Sequence, residues 1–504
     1  MLRTHTLAVM LLLLALTVLS GCGQNGAAAT DAIVIAQGVD ATTLDPHMHA
    51  ETTTSNVVNQ IFDRLLTRDA AMVLQPDLAL SVTPLNDLTW EVKLREGVKF
   101  HNGEDFDAES VKFSIERIID PATKSPQLPS LSAIDRVEII DPHTVHIITK
   151  TPYPVLPGRL TLAMVPPRYI REQGEQYFAE HPVGTGPYTF VSWTKDEAIV
   201  LAANDAYWRG SPAIKQVTFR PIPENATRLA ELQTGAVDLI VNVPPHQAAD
   251  LDAGADTKVV KTPSGRFIFL QLAADSDGPL ADPRVRQALN CAIDVPGIID
   301  SILAGNGYRS TQPLTSLDFG FNPDLAGYAY NPERARQLLA EAGYPDGLTL
   351  DLDVPNGRYV MDKEVAQAVA GQLAAVGVDV NLNVNEWGMH ISKILEHKMT
   401  GAFLIGWGTT LFDADATLFP LFRSGQRNSY YGDPETDCLL DAGRATLDSA
   451  ARADLYHAAA AQLVENAAAV FLYQQEDVYG IDRQLNWQPR PDELIFVYDM
   501  SFGE

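Results

Sequence analysis

The side chains best suited to holding a ligand gather in the last third of the sequence. The run Gly401–Phe422 reads GAFLIGWGTTLFDADATLFPLF. Its start, Ala402-Phe403-Leu404-Ile405, has the length and type of a buried strand. It stops at Gly406-Trp407-Gly408, where flanking glycines let the backbone turn and carry an indole to a surface or cleft. Thr409, Thr410, Asp413 and Asp415 then supply hydroxyls and carboxylates. A buried strand that empties into such a loop is where open α/β sheets place ligands. The same residues equally describe a core strand followed by a solvated loop. Arg358, in Pro355-Asn356-Gly357-Arg358-Tyr359, follows a second strand-like run. Its guanidinium is planar, always charged and able to take a carboxylate through two parallel hydrogen bonds. Trp387 and Trp407 could clamp a flexible ligand through apolar area, or pack between lobes.

Other chemistries find little support. The chain has no G-x-S-x-G elbow, no H-E-x-x-H, no phosphate-binding loop and no paired carboxylates in a motif context, so it reads as a non-enzyme with no catalytic residue. His390 and His397 lie seven apart on an expected helix, with Met389 beside the first. Two helical turns is farther than direct co-ligation of one ion usually allows. His47 and His49 are close together in an N-terminal loop. Asp351-Leu352-Asp353 lacks the rest of a calcium loop. No metal and no cofactor is expected. Cys291 and Cys438 are too isolated to form a disulfide framework and are expected as buried thiols.

The chain that must position these groups has 504 residues, enough for two or three domains. Its 46% hydrophobic and 20% charged content fits a folded globular protein. With 37 Lys+Arg against 64 Asp+Glu, the net charge of −27 argues against nucleic acid or anionic lipid surfaces as partners. At the N-terminus, Arg3 and His5 precede an apolar run from Leu7 to Leu19, broken only by Thr17. That is short for a membrane span and right for a signal-peptide core. It ends at Leu19-Ser20-Gly21-Cys22, which resembles the bacterial lipoprotein signal. The resemblance implies a signal peptide over 1–21, lipidation of Cys22 and a tether over 22–32. The mature protein is then expected in the periplasm or on the outer face of the cell membrane, held there by its lipid alone.

Periodicity and caps give the elements. Ile33–Ala36 reads as a strand, and a helix is expected from about Thr53 to Leu66 with Val57, Val58, Ile61, Phe62 and Leu65 on one face. Thr89–Leu94 alternates like a half-buried strand, Asn102-Gly103 marks a turn, and Asp107 caps a helix with Glu109 in its first turn. Ile134–Ile140 and Thr144–Thr149 flank Asp141-Pro142-His143 as a hairpin. From Phe267 strands and helices alternate: strand Phe267–Leu272, a helix capped by Asp282-Pro283, and a helix capped by Asn331-Pro332 and closed at Gly343. Strand Leu348–Val354, helix Asp362–Val376, Gly377 and strand Val378–Val384 follow. Helices Pro434–Thr446 and Ala450–Ala467 and strand Val470–Tyr473 complete an α/β lobe with helices packed on a sheet. The tail Leu485–Asp499 is expected to return to the first lobe.

From Trp90 to Arg117 the sequence follows W-x-x-x-L-R-x-G-V-K-F-H-x-G-x-x-F-x-A-x-x-V-x-F-S-x-E-R. Pro182–Tyr188 (PVGTGPY), Asn204–Gly210 (NDAYWRG) and Gly235–Leu239 (GAVDL) follow in order. Together these resemble the extracytoplasmic solute-binding proteins, family 5, of ABC importers, the group with the dipeptide, oligopeptide, nickel, opine and glutathione receptors. The resemblance covers about residues 33–499. It implies an α/β, two-lobed periplasmic-binding-protein type II fold with an extra inserted subdomain. Lobe I would comprise 33–59, 181–266 and 485–504, the inserted subdomain 60–180, and lobe II 267–484. A small organic solute would lie between lobes that close on a hinge. The partners implied are an ABC permease and its ATPase subunits, with the receptor itself a monomer.

The resemblance also assigns a ligand-binding set: Arg358, Tyr359, Trp387, Trp407, Thr410 and Asp413. In dipeptide receptors an arginine in the loop matching Arg358 takes the peptide carboxylate, and aromatics matching Trp387 and Trp407 line the pocket. Two positions depart from that pattern. Thr410 stands where peptide receptors carry an aspartate for the α-ammonium, and Leu404 where oligopeptide receptors carry an arginine. Asp413 matches a later acidic position. A neutral hydroxyl does not offset the desolvation of an ammonium as a carboxylate does. Carboxylates with no essential free α-amine gain weight: modified peptides, opines and glutathione-like molecules. The alternatives are a nickel or metal-chelate receptor, and a ligand sensor without transport.

Overall fold

In the computed structural model of the chain, the described residues are 31–49, 51–356, 358–408 and 410–503. The expected signal peptide, Cys22, the tether up to Thr30, Gly357 and Thr409 lie outside the described residues.

Eleven strands form one sheet. They are β1 Ala32–Gln37, β2 Tyr188–Thr194, β3 Ala198–Ala203, β4 Gln216–Pro221, β5 Leu239–Ile240, β6 Thr257–Leu272, β7 Gly307–Arg309, β8 Leu348–Pro355, β9 Val378–Asn385, β10 Ala402–Gly408 and β11 Ala469–Asp482. Their order is β9-β8-β10-β6-β11-β5-β1-β4-β3-β2, and β7 pairs with β11. β8 and β9 are parallel, joined by the helix Asp362–Ala374, as the strand-helix-strand reading requires. Gly347 and Gly377, both at φ +94°, start these two strands. A Cβ on Gly347 would lie 2.3 Å from the Gly377 carbonyl oxygen, so only glycine fits there.

Two apolar cores sit against opposite ends of the sheet. One gathers Ile33, Ile35, Phe219, Ile481 and Trp487; the other gathers Leu270, Leu272, Val354, Val369 and Leu404. β6 and β11 run through both. Thr257–Pro263 pairs with Asp482–Glu476 beside the first core, and Phe267–Gln271 pairs with Gln474–Ala469 beside the second. Between them, from Pro263 to Phe267, the register shifts. The expected strands Phe267–Leu272 and Val470–Tyr473 are therefore the apolar halves of much longer strands. Charged residues such as Lys258, Lys261, Glu476 and Asp477 hide the other halves from a pattern search.

A separate antiparallel sheet lies within 60–180, in the order Ala79–Asn86, Thr89–Leu94, Thr144–Thr149, Ile134–Asp141. The helix Ala108–Ile119 packs on it through Val111, Ile115 and Ile118. Asp107 caps that helix, accepting from the backbone N–H groups of Glu109 and Ser110.

One helix departs from expectation. The segment expected from Thr53 to Leu66 is helical only over Thr52–Ile61, and the chain then forms the strand Leu66–Arg68. Long-range bonds break the helical periodicity. The Asp63 carboxylate accepts from the Tyr207 hydroxyl, the Trp208 indole N–H and the Thr185 hydroxyl. The glycines of PVGTGPY act at the same place. A Cβ on Gly184 would lie 2.0 Å from the Ile61 carbonyl oxygen. The tail packs beside the N-terminal helix: the Gln60 amide donates to the Ile495 carbonyl and accepts from the Val497 N–H. Cys291 is buried as expected, whereas Cys438 is exposed, and both are free thiols.

Candidate functional site

The end of β8 places Arg358. The Arg358 and Tyr359 backbone N–H groups donate to Asp362 Oδ2 at 2.8 and 3.1 Å, tying the turn to the next helix. Tyr359 is buried, and its hydroxyl donates to the Gly406 carbonyl at 3.2 Å. A Cβ on Gly406 would lie 2.7 Å from that ring, which is why glycine precedes Trp407. The Arg358 guanidinium lies 5.1 Å from the Tyr359 ring centroid and 5.2 Å from that of Trp387. The two rings meet edge to face at 6.0 Å. Cation–π contact orients the guanidinium without using its N–H groups. Among the described residues it makes no hydrogen bond or ion pair. Partial burial, and then the like charge of Arg266, lower its pKa. This is a cation held by apolar faces with its donors open, suited to a carboxylate.

β10 places the rest. The Trp407 indole N–H donates to the Ala416 carbonyl at 3.1 Å and packs against the start of the helix Asp415–Phe422. Thr410 is exposed, and its carbonyl accepts from Arg68 Nε at 3.0 Å. Arg68 also donates to the Leu411 carbonyl. Leu411 is 4% exposed and belongs to the apolar cluster of Leu156 and Leu160, which also backs the separate antiparallel sheet. The loop thus reaches over and plugs into the inserted part of the chain.

Asp413 is engaged in an ion pair within the protein. Both its oxygens accept from Arg452, at 2.7 and 2.6 Å, and Arg452 is itself buried. Asp415 is buried against Arg444 at 3.3 Å, and burial raises its pKa. The histidines stand apart. His390 Nε2 meets the Leu404 carbonyl at 3.0 Å, His397 lies beyond the helix Trp387–Leu395 and stacks on Tyr430, and His47 contacts Arg117 and the Ala163 carbonyl.

A cavity of about 250 Å³ opens where the loop crosses. Asn59, Arg64, Arg68, Arg159, Thr410 and Asp492 are among its walls. Of the ligand-binding set expected from the sequence, Thr410 alone is among its described walls; His49, considered there for a metal, lines it too. The arginines of the opposite wall were missed. They come from an isolated bridge just past a helix, a three-residue strand and a four-residue helix, and no local pattern marks those as cleft-facing.

The hinge strands carry a further group that the sequence did not single out. Glu493 accepts from both Arg266 and the Ser264 hydroxyl. Asp477 has no cation in contact, and its Oδ1 accepts from the Gln475 amide. Burial, and then the Glu493 carboxylate, push the Asp477 carboxyl up to about 8. Burial thus favours the protonated form of Asp477. An unfolded aspartate titrates near ~3.9. The folded state binds this proton more tightly between those values. The stability it contributes is complete below the unfolded pKa and is lost as pH rises through about 8. Urea midpoints of the parent are expected to fall across that window relative to those of Asp477→Asn; parallel profiles would remove Asp477 as the cause.

Residues 73–429 match the family model described as bacterial extracellular solute-binding proteins, family 5 Middle. The chain is 32% identical over 455 residues to the glutathione-binding protein GsiB of Escherichia coli O1:K1 / APEC, covering 87% of this chain and 88% of that protein. It is similar to the ABC transporter-associated periplasmic binding protein DppA from Helicobacter pylori in complex with the peptide STSA. That match has 25% identity and a TM-score of 0.82, over 94% of this chain and 98% of the other. It is also similar to AgaA from A. tumefacien R10 in complex with agropinic acid, at 27% identity and a TM-score of 0.80, over 94% and 99%.

Proposed function

The chain belongs to the bacterial extracellular solute-binding proteins, family 5, and from that premise we propose that it captures a small peptide-like carboxylate of the glutathione type for an ABC importer. The observation that carries the ligand class is Arg358, a guanidinium oriented by two aromatic faces with its donors unused. Arg358 takes the carboxylate, Tyr359 and Trp387 hold its plane, and Trp407 and Thr410 form the facing wall. Asp413 serves the site indirectly, by fixing the loop through Arg452. The 32% identity to a glutathione-binding relative supports the same class.

The rest of the proposal follows from the sequence. Cys22 carries the lipid, residues 1–21 are removed, and the monomeric receptor docks outside the cytoplasm on a permease that its ATPase subunits drive. Lobe I comprises 33–59, 181–266 and 485–504, with 60–180 inserted, and lobe II comprises 267–484. Titration calorimetry of the ligand-stripped protein with glutathione tests the binding role. Arg358→Ala is expected to weaken binding by about 1.5–3 kcal/mol, the range for a hydrogen bond to a charged group. Unchanged affinity in that variant would take Arg358 out of the site.

A further inference from the structure

The cavity under the Thr410 loop has an unusual charge balance for a chain of net charge −27. Three arginines line it, and none of them forms an ion pair among the described residues. Arg68 is used up on the carbonyls of Met72, Thr410 and Leu411. Arg64 donates to Asn59 Oδ1 and lies over the Phe496 ring. Arg159 donates only through Nε, to the Tyr153 hydroxyl at 3.3 Å, which leaves its terminal N–H groups open.

Three of the nearby carboxylates, including Asp492, the one acidic residue among the cavity's described walls, are already paired with other arginines. Asp492 accepts twice from Arg490, Asp413 twice from Arg452, and Asp415 is paired with Arg444. Asn59 adds an independent sign. It lines the cavity and is 8% exposed, and its Oδ1 is taken by Arg64. Its Nδ2 donor has no acceptor among the described residues. A buried donor left unpaired is costly, and a site that collects several asks for an acceptor-rich partner. Burial lowers the pKa of Arg64 and Arg68, and outweighs the opposing pull of Asp492, which acts on both.

We infer that Asn59, Arg64 and Arg159 form a second anion subsite that receives a further carboxylate of the ligand, so that the receptor selects dicarboxylates over zwitterionic dipeptides. This rests on the proposed carboxylate contact at Arg358 and extends it to the other end of the same ligand. The neutral Thr410 fits the inference. Among the described residues lining the cavity, the one carboxylate, Asp492, is already held by Arg490, and guanidinium groups face the space instead.

The test uses calorimetry on the ligand-stripped chain with glutathione and with each of its two mono-amides, in which one carboxylate becomes uncharged. The parent is expected to bind the diacid at least about tenfold more tightly than either amide, the size of one charge-assisted hydrogen bond. Arg159→Gln is expected to lose that factor for the diacid while binding one of the two amides as the parent does. Arg159→Lys, which keeps the charge, is expected to retain part of the preference. Equal binding of diacid and amides by the parent would overturn the inference and leave the Arg358 reading standing. An equal loss for all three probes in Arg159→Gln would show a structural role and overturn it too. No binding of any probe by the parent would overturn the glutathione-type reading and the inference with it.

Discussion

Arg452→Met is expected to destabilise the folded protein by about 3–5 kcal/mol, the usual result of removing one partner of a buried ion pair. Arg452 is 4% exposed and lies 4.8 Å from the ring centroids of both Phe319 and Tyr456. Its Nε donates to the Gly443 carbonyl, and its terminal N–H groups hold both oxygens of Asp413. Methionine fills much of the same volume but leaves the Asp413 carboxylate with only the Asp415 backbone N–H. The loop is anchored at this point, since Phe319 exchanges backbone hydrogen bonds with Phe412 and Ala414 on either side of Asp413. Ligand affinity is therefore expected to fall together with stability. The double variant Arg452→Met/Asp413→Leu separates charge from shape. Replacing both members by apolar groups is close to neutral in comparable buried pairs, so most of the lost stability is expected to return. Urea denaturation of parent, single and double variants reads this out. A single variant within about 0.5 kcal/mol of the parent, the range of an ordinary surface change, would contradict the argument.

Leu411→Asp is expected to keep the lobes apart. Leu411 lies in the apolar cluster of the opposite side, and a Cβ on Gly158 would lie 2.4 Å from its Cδ1. Burying such a leucine contributes about 1.5–3 kcal/mol to the joined arrangement. A carboxylate at the same place loses that and adds its own desolvation. The open form then becomes the resting form, and binding must first work against it. An apparent affinity weaker by about 100-fold or more follows, at 1.4 kcal/mol per tenfold. Solution scattering should give a larger radius of gyration, while each core, built from other residues, still unfolds cooperatively. A variant with parental scattering and parental affinity would show that Leu411 is not what closes the cleft.

The parts legible in the sequence were those set by short-range chemistry. Asp107, Asp282 and Asn331 cap the helices that their positions announced. Leu348–Val354 and Val378–Val384 read as strands because their burial follows from a simple pattern, and Gly377 marks the turn between helix and strand. Arg358 and Trp387 were visible because each stands at the end or start of such an element, and they meet over Tyr359. What stayed hidden depends on distant contacts. The partner of Asp413 lies 39 residues on, in another helix. Arg64 reads as the last turn of an amphipathic helix, and only the bonds of Asp63 to Thr185, Tyr207 and Trp208 turn the chain out of that helix. Arg159 and Asn59 share a cavity because the Thr410 loop crosses over them, a fact of tertiary assembly.

β6 and β11 pass uninterrupted through both lobes, with their register shift midway. The lobes are therefore not beads on a string. They are the two ends of one ribbon, and separating them means flexing that ribbon at its weakest point. Such a joint resists twisting and sliding far more than folding along its own short axis. Any opening is expected to follow that one axis, so that each return brings the same arginines to face the same loop.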